Sequence, residues 1–377
     1  MRVLVVSGIW PPDVGGPASH APEVAEFLRE RGHEVEVVTT ADAPPATRPY
    51  PVRAVSRRHR VGVRHYRVAA LIHHRAREND VVYTTGMFGR SALGASVARK
   101  PYVVKLTADP AFERARRRRM VEGDVDAFQR ERGDLAIRAL RLARDWELRH
   151  AAHVFTPSEY LSRLTVSWGV SAERVSVLPN PAPPLPELRP REELRGELGM
   201  NGRTLAFAGR LGPQKALGVA LDAIARVDGV ELLIAGEGAE REPLERRVAE
   251  LGLAERVRFL GPLPRERVLE LFRAAEASLL TSSWENFPHT VVEALAVGTP
   301  VLATRVGGVA EVVRDGENGL LFEAGDVEGI AAGIERFFAD AALRERLAGA
   351  AAPSVREYDR DVVFARLEQA LLAAAAG

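Results

Sequence analysis

Short apolar runs alternate along the chain with segments in which apolar residues recur every three or four positions. Residues 2–7 are almost all apolar, a pattern typical of a strand buried on both faces of a parallel sheet. Residues 21–31 place their apolar side chains on one helical face and end at Gly32, a helix-stop signal. Further strands are predicted at residues 34–40, 81–85, 102–106 and 154–157, and a long helix at residues 127–149. Strands that alternate with helices predict parallel βαβ units in a doubly wound sheet.

A proline-rich segment divides the chain into two halves. Residues 179–190 read PNPAPPLPELRP, and six prolines in twelve positions cannot form an internal helix or a central strand. The alternation then restarts, with strands predicted at residues 204–208, 230–235, 257–260 and 277–281, and helices at residues 214–227, 239–251 and 265–275. We therefore predict two α/β domains, residues 1–180 and 181–361. A terminal helix over residues 362–377 either caps the second domain or packs back on the first.

Composition narrows the chemistry that the chain can perform. The sequence has no cysteine, which excludes disulfides, a thiol nucleophile and a Cys-ligated metal. No apolar run approaches the ~20 residues of a membrane-spanning helix, and the first residues lack the pattern of a secretory signal. We therefore expect a cytoplasmic protein.

The net charge of +1 hides an asymmetry between the halves. Residues 1–180 carry 29 Lys and Arg against 20 Asp and Glu, whereas residues 181–377 carry 23 against 31. Such an asymmetry indicates either a basic half that meets an anionic partner or an incidental drift of surface charge.

The most informative segment follows the strand predicted at residues 277–281. A polar loop containing Glu285 leads to Pro288, where a helix is expected to begin, and Glu293 lies within that helix. The free N–H groups and the positive dipole end of a helix start favour an anion. Two carboxylates beside an anion are suited to accept hydrogen bonds from sugar or ribose hydroxyls. Taken alone, they are better explained as an exposed loop acid and a first-turn acid.

A second loop strengthens the first interpretation. The sequence GRLGPQK follows the strand predicted at residues 204–208, again at a carboxyl end. Gly209 and Gly212 permit close backbone approach, while Arg210 and Lys215 offer cations to phosphate oxygens. Both loops therefore indicate an anionic ligand at the carboxyl edge of the second sheet.

These motifs together resemble those of the retaining family 4 glycosyltransferases of GT-B fold. The resemblance rests on GRLGPQK, on the E-x7-E pair Glu285 and Glu293, on Gly15-Gly16 after the first strand, and on Gly307-Gly308 followed by DGENG at residues 315–319. It covers nearly the whole chain. It implies two Rossmann-like domains that face each other across a cleft and an enzyme that uses a nucleoside-diphosphate sugar.

The resemblance also implies roles for particular residues. Arg210 and Lys215 would bind the donor diphosphate, and Glu285 the hydroxyls of its sugar. Glu293 would hold the nucleotide ribose. The remaining residues expected near the donor are Gly209, the backbone of Phe287, Pro288, His289 and Thr290, and Gly15 and Gly16 from the first domain.

The acceptor side departs from the family pattern. Many members have a histidine after the strand that corresponds to residues 102–106, but this chain reads Lys105-Leu106-Thr107-Ala108-Asp109-Pro110. Asp109 is a candidate for orienting or deprotonating an acceptor hydroxyl, or it is a helix cap before Pro110. His20 is a second candidate for the acceptor side, with a structural role as its alternative.

Three other sequence patterns suggest metal, nucleic-acid or dinucleotide binding at first sight, but each has a better explanation. Asp124-Val125-Asp126 matches a metal-binding D-x-D pattern, but capping of the following helix explains it better, and no metal is expected. The basic runs at residues 114–119 and 53–77 lack any nucleic-acid-binding signature. The 114–119 run is interpreted instead as a solvated helix face, or as a contact for a phosphorylated or membrane-surface acceptor. The 53–77 run is a basic amphipathic segment that can lie on anionic lipid. Gly236-Glu237-Gly238 lacks the third glycine of a dinucleotide turn, which weighs against a dehydrogenase.

The sequence therefore predicts a metal-independent retaining hexosyltransferase that acts on a hydroxyl acceptor: a glycan, a lipid-linked molecule or a small polar one. The alternative is a nucleotide-sugar-binding scaffold subunit with weak or no catalysis. The donor base (uridine or guanosine), the sugar, the linkage and the oligomeric state are left open by the sequence. A peripheral location at the inner face of the membrane is compatible with the basic runs.

Overall fold

A computed structural model describes residues 1–13, 16–121, 123, 125–182 and 184–377. The chain forms two compact units. Unit 1 comprises Met1–Pro179 together with Asp361–Gly377, and unit 2 comprises Asn180–Arg360.

Unit 1 is built on a seven-stranded, fully parallel sheet with the order β3-β2-β1-β4-β5-β6-β7. Its strands are β1 (Arg2–Val6), β2 (Glu34–Ala41), β3 (Val52–Ser56), β4 (Val81–Thr84), β5 (Tyr102–Lys105), β6 (His153–Thr156) and β7 (Val175–Val177). Its helices are α1 (Gly16–Glu30), α2 (Val61–Ala76), α3 (Phe88–Ala98), α4 (Pro110–Arg117), α5 (Val125–Arg130), α6 (Leu135–Arg149) and α7 (Glu159–Ser167). The central strands are buried on both faces, as expected for a parallel sheet between two helix layers.

The terminal helix packs on this first sheet. In chain order it is α16 (Arg360–Ala376), and its Phe364, Leu367 and Leu371 share a core with β1 and α1. Glu368 on the same helix accepts a hydrogen bond from His33 Nε2 at 2.7 Å and pairs with Arg31. The last residues of the chain therefore complete the core of the unit that the first residues begin.

The long helix predicted at residues 127–149 is wrong, because the structure breaks it into α5 and α6. Gly133 adopts a φ of +68°, a left-handed conformation that interrupts a helix. Asp134 then starts α6 by accepting a hydrogen bond from the backbone N–H of Ile137 at 2.8 Å. The sequence pattern also gave no prediction of β3 and β7, the two short strands at the edges of this sheet.

Unit 2 contains a six-stranded parallel sheet with the order β10-β9-β8-β11-β12-β13. Its strands are β8 (Arg203–Ala208), β9 (Val230–Ala235), β10 (Val257–Gly261), β11 (Ala277–Leu280), β12 (Val301–Thr304) and β13 (Gly319–Phe322). Its helices are α8 (Arg191–Glu197), α9 (Leu217–Ile224), α10 (Arg241–Glu250), α11 (Arg265–Ala274), α12 (His289–Ala296), α13 (Val309–Val312), α14 (Val327–Ala339) and α15 (Ala341–Ala351). The predicted fold class, two doubly wound parallel α/β sheets, is therefore confirmed.

The helix predicted at residues 214–227 is shorter than expected. A 3-10 turn, Pro213–Lys215, comes first, and Ala216 then takes a left-handed φ of +46° before α9 begins. Lys215, the last residue of this turn, pairs with Glu285. The local break therefore belongs to the site described next.

Candidate functional site

The candidate donor site lies where the direction of strand connection in unit 2 reverses. Strands β9 and β10 follow β8 on one side, while β11, β12 and β13 proceed on the other, so that β8 and β11 are neighbours. In open α/β sheets, ligands bind at the carboxyl ends of the strands beside such a switch point. The loops after β8 and β11 contain the two motifs singled out from the sequence.

Lys215 and Glu285 form an ion pair across these two loops. Lys215 Nζ donates to Glu285 Oε1, and Ser282 Oγ donates to the same oxygen at 2.7 Å. The Glu285 residue is 6% exposed and Ser282 is fully buried. A largely buried carboxylate held by one cation and one hydroxyl has a fixed position, and hydrogen bonds to a charged group are the stronger ones.

The backbone of Glu285 is also fixed, by the loop after β12. The N–H of Gly308 donates to the carbonyl of Glu285 at 3.0 Å. A Cβ atom at Gly307 would lie 1.7 Å from that carbonyl oxygen, and its φ is +48°. Glycine is therefore required at position 307 for the loop to approach Glu285.

Gln214 and Thr281 hold the two motif loops together. Gln214 Nε2 donates to the carbonyl of Trp284 at 2.6 Å, and the N–H of Ser283 donates to the carbonyl of Gln214 at 2.9 Å. Thr281 Oγ1 donates to the carbonyls of Lys215 and Ala216, each at 3.2 Å. These bonds hold the two motifs next to each other in space, although about 70 residues separate them in sequence.

A pocket of about 280 Å³, close to the size range of small-ligand sites, lies at the end of β8. Gly209 lines it and is a neighbour of Lys215, since a Cβ atom at Gly209 would lie 3.9 Å from Lys215 Cε. The pocket lining includes four residues predicted for the donor, namely Gly209, Arg210, Thr290 and Glu293, together with the loops after β9 and β10. Gly236 lets two of these loops approach, since a Cβ atom there would lie 1.8 Å from the carbonyl oxygen of Gly209. The sequence pattern weighs against a dinucleotide turn at Gly236-Glu237-Gly238. This segment instead helps to form the pocket, because Gly236 has no side chain to separate the two loops.

Glu293 is one of two acidic residues that line this pocket, the other being Glu237. Burial raises its pKa, and Arg265 opposes that shift through an ion pair, with Arg265 Nε 3.3 Å from Glu293 Oε1. Arg265 was missed by the sequence analysis because it lies on α11, outside both motifs. One feature of the sequence could have identified Arg265 as a site residue: it is the first residue of a helix that follows a strand.

Arg210 contributes an accessible cation. Its side chain is exposed and lines the pocket, and among the described residues it has no hydrogen bond or ion pair. Phe287 and Pro288 are buried, with Phe287 packed against Tyr358, while His289 is exposed and lies 3.0 Å from the side-chain nitrogen of Asn180. Pro288 precedes α12, as the sequence predicts.

Unit 1 carries a larger pocket, of about 970 Å³, at the carboxyl ends of β1, β2, β4 and β5. Thr107 and Ala108 line it, but Asp109 does not. The pocket wall is rich in arginine, drawn from α2, α3 and α4 and from the segments just before α2 and just after α4. In unit 2 the pocket of about 280 Å³ likewise lies at the carboxyl ends of neighbouring strands.

Asp109 has a structural role, and its candidacy as an acceptor-side group is not supported by its position. Its side chain caps α4 by accepting from the backbone N–H of Ala111 at 2.8 Å. It also pairs with Arg144 at 2.9 Å and accepts from Gln129 at 2.8 Å. The Asp109 side chain is fully buried, so the carboxylate is held as an ion pair beneath the pocket wall rather than presented to a ligand.

His20 is likewise engaged within unit 1. Its Nε2 lies 2.8 Å from the hydroxyl of the buried Tyr83, and its ring packs against Phe364 of α16. Gly16 begins α1, whereas Gly15 lies outside the described residues. The prediction that Gly15 and Gly16 approach a donor phosphate stays a prediction.

The described residues contain neither a cluster suited to hold a metal ion nor a membrane-spanning helix. Among them, no group of three or more His, Asp or Glu side chains is arranged to hold a metal ion. Of the D-x-D pair, Asp126 accepts a hydrogen bond from Tyr160 at 2.6 Å, and Asp124 lies outside the described residues. None of the described helices is both long enough and apolar enough to cross a bilayer.

Comparison with known proteins identifies the family. A family model described as "Glycosyl transferase 4-like domain" matches residues 15–181, and one described as "Glycosyl transferases group 1" matches residues 190–352. Together the two matches leave out only the chain ends and a stretch within the proline-rich segment.

Individual relatives agree with these matches. The chain is 29% identical to a phosphatidyl-myo-inositol mannosyltransferase of Mycobacterium leprae, over 94% of this chain and 91% of the relative. It is 34% identical to a D-inositol 3-phosphate glycosyltransferase of Thermomonospora curvata, over 57% of this chain and 55% of the relative. Curated relatives at 34–40% identity align with this chain over about 36–55% of their own length.

The fold of solved structures agrees as well. The Anabaena protein HepE, crystallised with UDP, superimposes with a TM-score of 0.80 at 23% identity, covering 99% of this chain and all of that one. This similarity and the two family matches confirm the resemblance seen in the sequence motifs. The chain belongs to the family 4 glycosyltransferases of GT-B fold.

Proposed function

We propose that the protein is a retaining hexosyltransferase that moves a sugar from a nucleoside-diphosphate sugar to a hydroxyl acceptor without a metal ion. The observation that supports this best is the grouping of Arg210, Lys215 and Glu285 at the ends of β8 and β11, beside the pocket that contains Glu293. Structures of the similar HepE protein contain UDP or UDP-glucose, which favours the same class of donor here.

Arg210 and Lys215 supply the charge that the reaction requires. When the bond from the anomeric carbon to the diphosphate oxygen breaks, negative charge grows on the phosphate and positive charge on the sugar ring. Preorganised cations stabilise this separation, and loss of one such group typically costs about 2.7–4 kcal/mol of barrier. Two side-chain cations can thus serve in place of a divalent metal.

Glu285 and Glu293 position the two ends of the donor. The fixed Glu285 carboxylate retains lone pairs that can accept hydrogen bonds from sugar hydroxyls, since Ser282 and Lys215 both bind Oε1. Glu293 lines the pocket and can accept from the ribose hydroxyls. In this arrangement Lys215 lies between the sugar-binding carboxylate and the diphosphate.

The proposed transfer needs no covalent intermediate on the protein. The anomeric carbon loses its bond to the diphosphate oxygen and gains one to the acceptor oxygen on the same face of the ring. The products are a nucleoside diphosphate and the glycosylated acceptor, and the acceptor proton passes to the leaving diphosphate or to water. Asp109 takes no part in this proposal, because it is buried and paired with Arg144.

The acceptor side of unit 1 favours an anionic or membrane-bound partner and no nucleic acid. Arg53 and Arg75 pair with Glu36, and Arg57 with Asp13, so part of the 53–77 run is neutralised internally. Exposed apolar side chains nevertheless lie on α2 and α6, among them Tyr66 at 75% and Leu135 at 81% exposed. Exposed apolar groups beside the basic 53–77 and 114–119 segments suit peripheral contact with an anionic membrane from the cytoplasmic side.

The change Lys215→Ala tests the proposal. We expect the variant to fold normally but to lose about 100-fold or more in nucleoside-diphosphate release from UDP-glucose or GDP-mannose in the presence of acceptors, because one cation of the leaving group is gone. Lys100→Ala, in unit 1, is the matched control. Wild-type activity should survive a chelator.

Wild-type turnover by the Lys215 variant would overturn the assignment of the donor site. If the wild-type protein binds nucleotide sugars but releases no nucleoside diphosphate with any acceptor, the scaffold alternative is correct instead.

A further inference from the structure

Three arginines from three different helices converge on the large pocket of unit 1. Arg64 comes from α2, Arg90 from the first turn of α3, and Arg114 from α4, and all three line the cavity of about 970 Å³. The family motifs include none of them. Arg114 lies in the basic 114–119 run and Arg64 in the 53–77 run, whereas Arg90 lies in neither.

The charge of this group, which we call the arginine triad, is not balanced within the pocket. Arg114 Nη2 bonds both oxygens of Glu147, at 2.9 and 2.8 Å. Arg64 Nη1 donates to the carbonyl of Arg57 at 3.1 Å. Arg90 makes no side-chain hydrogen bond or ion pair with any described residue. Six guanidinium groups and two carboxylates, Glu113 and Glu147, line the cavity as a whole.

The electrostatic cost of this arrangement appears in the groups around it. The pKa of Arg90 is lowered, first by burial and then by the charges of Arg64 and Arg114, with Glu147 acting in the opposite direction. The pKa of His65 is lowered by burial and by the same three arginines. The pocket therefore has a positive potential that its own side chains do not cancel.

Arg144 provides the contrast within the same unit. It is nearly fully buried and is neutralised by Asp109 at 2.9 Å and by Asp145 at 2.8 Å. Two carboxylates accompany this buried arginine, as expected because an uncompensated buried charge is costly. Arg90 instead retains a free guanidinium facing a cavity large enough for a ligand.

We propose that Arg64, Arg90 and Arg114 bind a phosphate group of the acceptor. This inference rests on the proposed transferase function and names the acceptor class. Guanidinium groups pair with phosphate oxygens through parallel hydrogen bonds, and three of them can engage three oxygens. A doubly charged phosphate also neutralises more of the excess charge than a single carboxylate. The phosphate belongs either to a soluble phosphorylated polyol or to a lipid headgroup.

Calorimetric titration of the full-length protein with glycerol 3-phosphate, and with glycerol as the uncharged counterpart, tests the soluble source. We expect glycerol 3-phosphate to bind and Arg90→Gln to weaken its binding by tenfold or more, with Arg64→Gln giving the same direction. Arg163→Gln, an exposed arginine on α7 without a described partner, is the matched control and should bind like the wild type. Inorganic phosphate should compete with glycerol 3-phosphate.

Co-sedimentation with phosphatidylcholine vesicles, with or without phosphatidic acid, tests the lipid source. Binding that requires phosphatidic acid and is lost in Arg90→Gln but not in Arg163→Gln supports the proposal with the phosphate on a lipid. Binding of neither phosphate compound overturns it, as does equal weakening by the Arg90 and Arg163 variants, which would indicate a diffuse basic surface.

Failure of this inference can be told apart from failure of the proposed function. UDP-glucose and GDP-mannose binding to unit 2 should be unchanged in Arg90→Gln. If a nucleotide sugar binds and is turned over but phosphate is not recognised, only the acceptor class is wrong. If neither nucleotide sugar binds, the transferase proposal itself fails.

Discussion

Removing the Ser282 hydroxyl tests whether the fixed position of Glu285 matters for sugar transfer. Ser282 is fully buried, and its Oγ donates to Glu285 Oε1 at 2.7 Å. Ser282→Ala leaves Lys215 as the described partner of that carboxylate oxygen. A hydrogen bond to a charged group contributes about 1.5–3 kcal/mol, so we expect kcat/KM to fall by roughly 10- to 150-fold.

The assay separates the sugar from the nucleotide. If Glu285 holds sugar hydroxyls, Ser282→Ala should weaken the binding of the nucleotide sugar while leaving the affinity for the nucleoside diphosphate unchanged. The neighbouring Ser283 is the matched control, because it is exposed and donates only to the carbonyl of Gln214 at 3.2 Å. Ser283→Ala should stay within about 0.5 kcal/mol of the wild type.

Two results would refute this reasoning. Wild-type kcat/KM in Ser282→Ala would show that the hydroxyl does not position Glu285 for the reaction. Equal loss of affinity for nucleotide sugar and nucleoside diphosphate would show that the variant disturbs the loop as a whole.

Two further predictions concern buried titratable groups. Burial, together with the charge of Arg366, lowers the pKa of Lys105 to about 7, while its Nζ donates to the carbonyl of Leu178. Between pH 7 and about 10 the unfolded chain binds a proton that the folded one lacks, so stability should rise with pH by up to about 1.4 kcal/mol per unit, and Lys105→Met should flatten this rise in denaturant unfolding. A flat wild-type profile would count against it. Burial raises the pKa of Glu293, so the folded protein loses stability as the pH rises from the ordinary value of a glutamate through the raised pKa. Glu293→Gln removes this ionisation and should raise the Tm at neutral pH. The same change should weaken nucleotide binding. Lower Tm with unchanged nucleotide affinity would contradict both parts.

Much of the fold could be predicted because parallel sheets leave a strong pattern. Strands such as β1 and β9 are buried on both faces, so their sequences are nearly continuous apolar runs. Short strands at or near a sheet edge, such as β3, have exposed positions and no such run. The break between α5 and α6 was missed because it depends on one glycine in a left-handed conformation within an otherwise helical pattern.

The candidate donor site could be predicted only in part. The motifs identified Lys215 and Glu285, but the ion pair between them, and the role of Ser282 in it, depend on loops about 70 residues apart. The motifs did not identify Arg265 as a site residue, because only the packing of α11 places it beside Glu293.

The sequence by itself determined the two α/β units, the family and the residue types at the strand ends. Local periodicity predicts the units, and short motifs indicate the family and the residues at the strand ends. The tertiary structure decided which of several charged residues face a pocket and which are neutralised. Asp109 and Arg90 show the difference. Both are charged residues at a helix start near a strand end. Asp109 meets Arg144 from another helix and is held as a buried pair, whereas Arg90 meets other arginines and faces open space. The energy of a charge depends on its neighbours in space, and those neighbours come from distant parts of the chain.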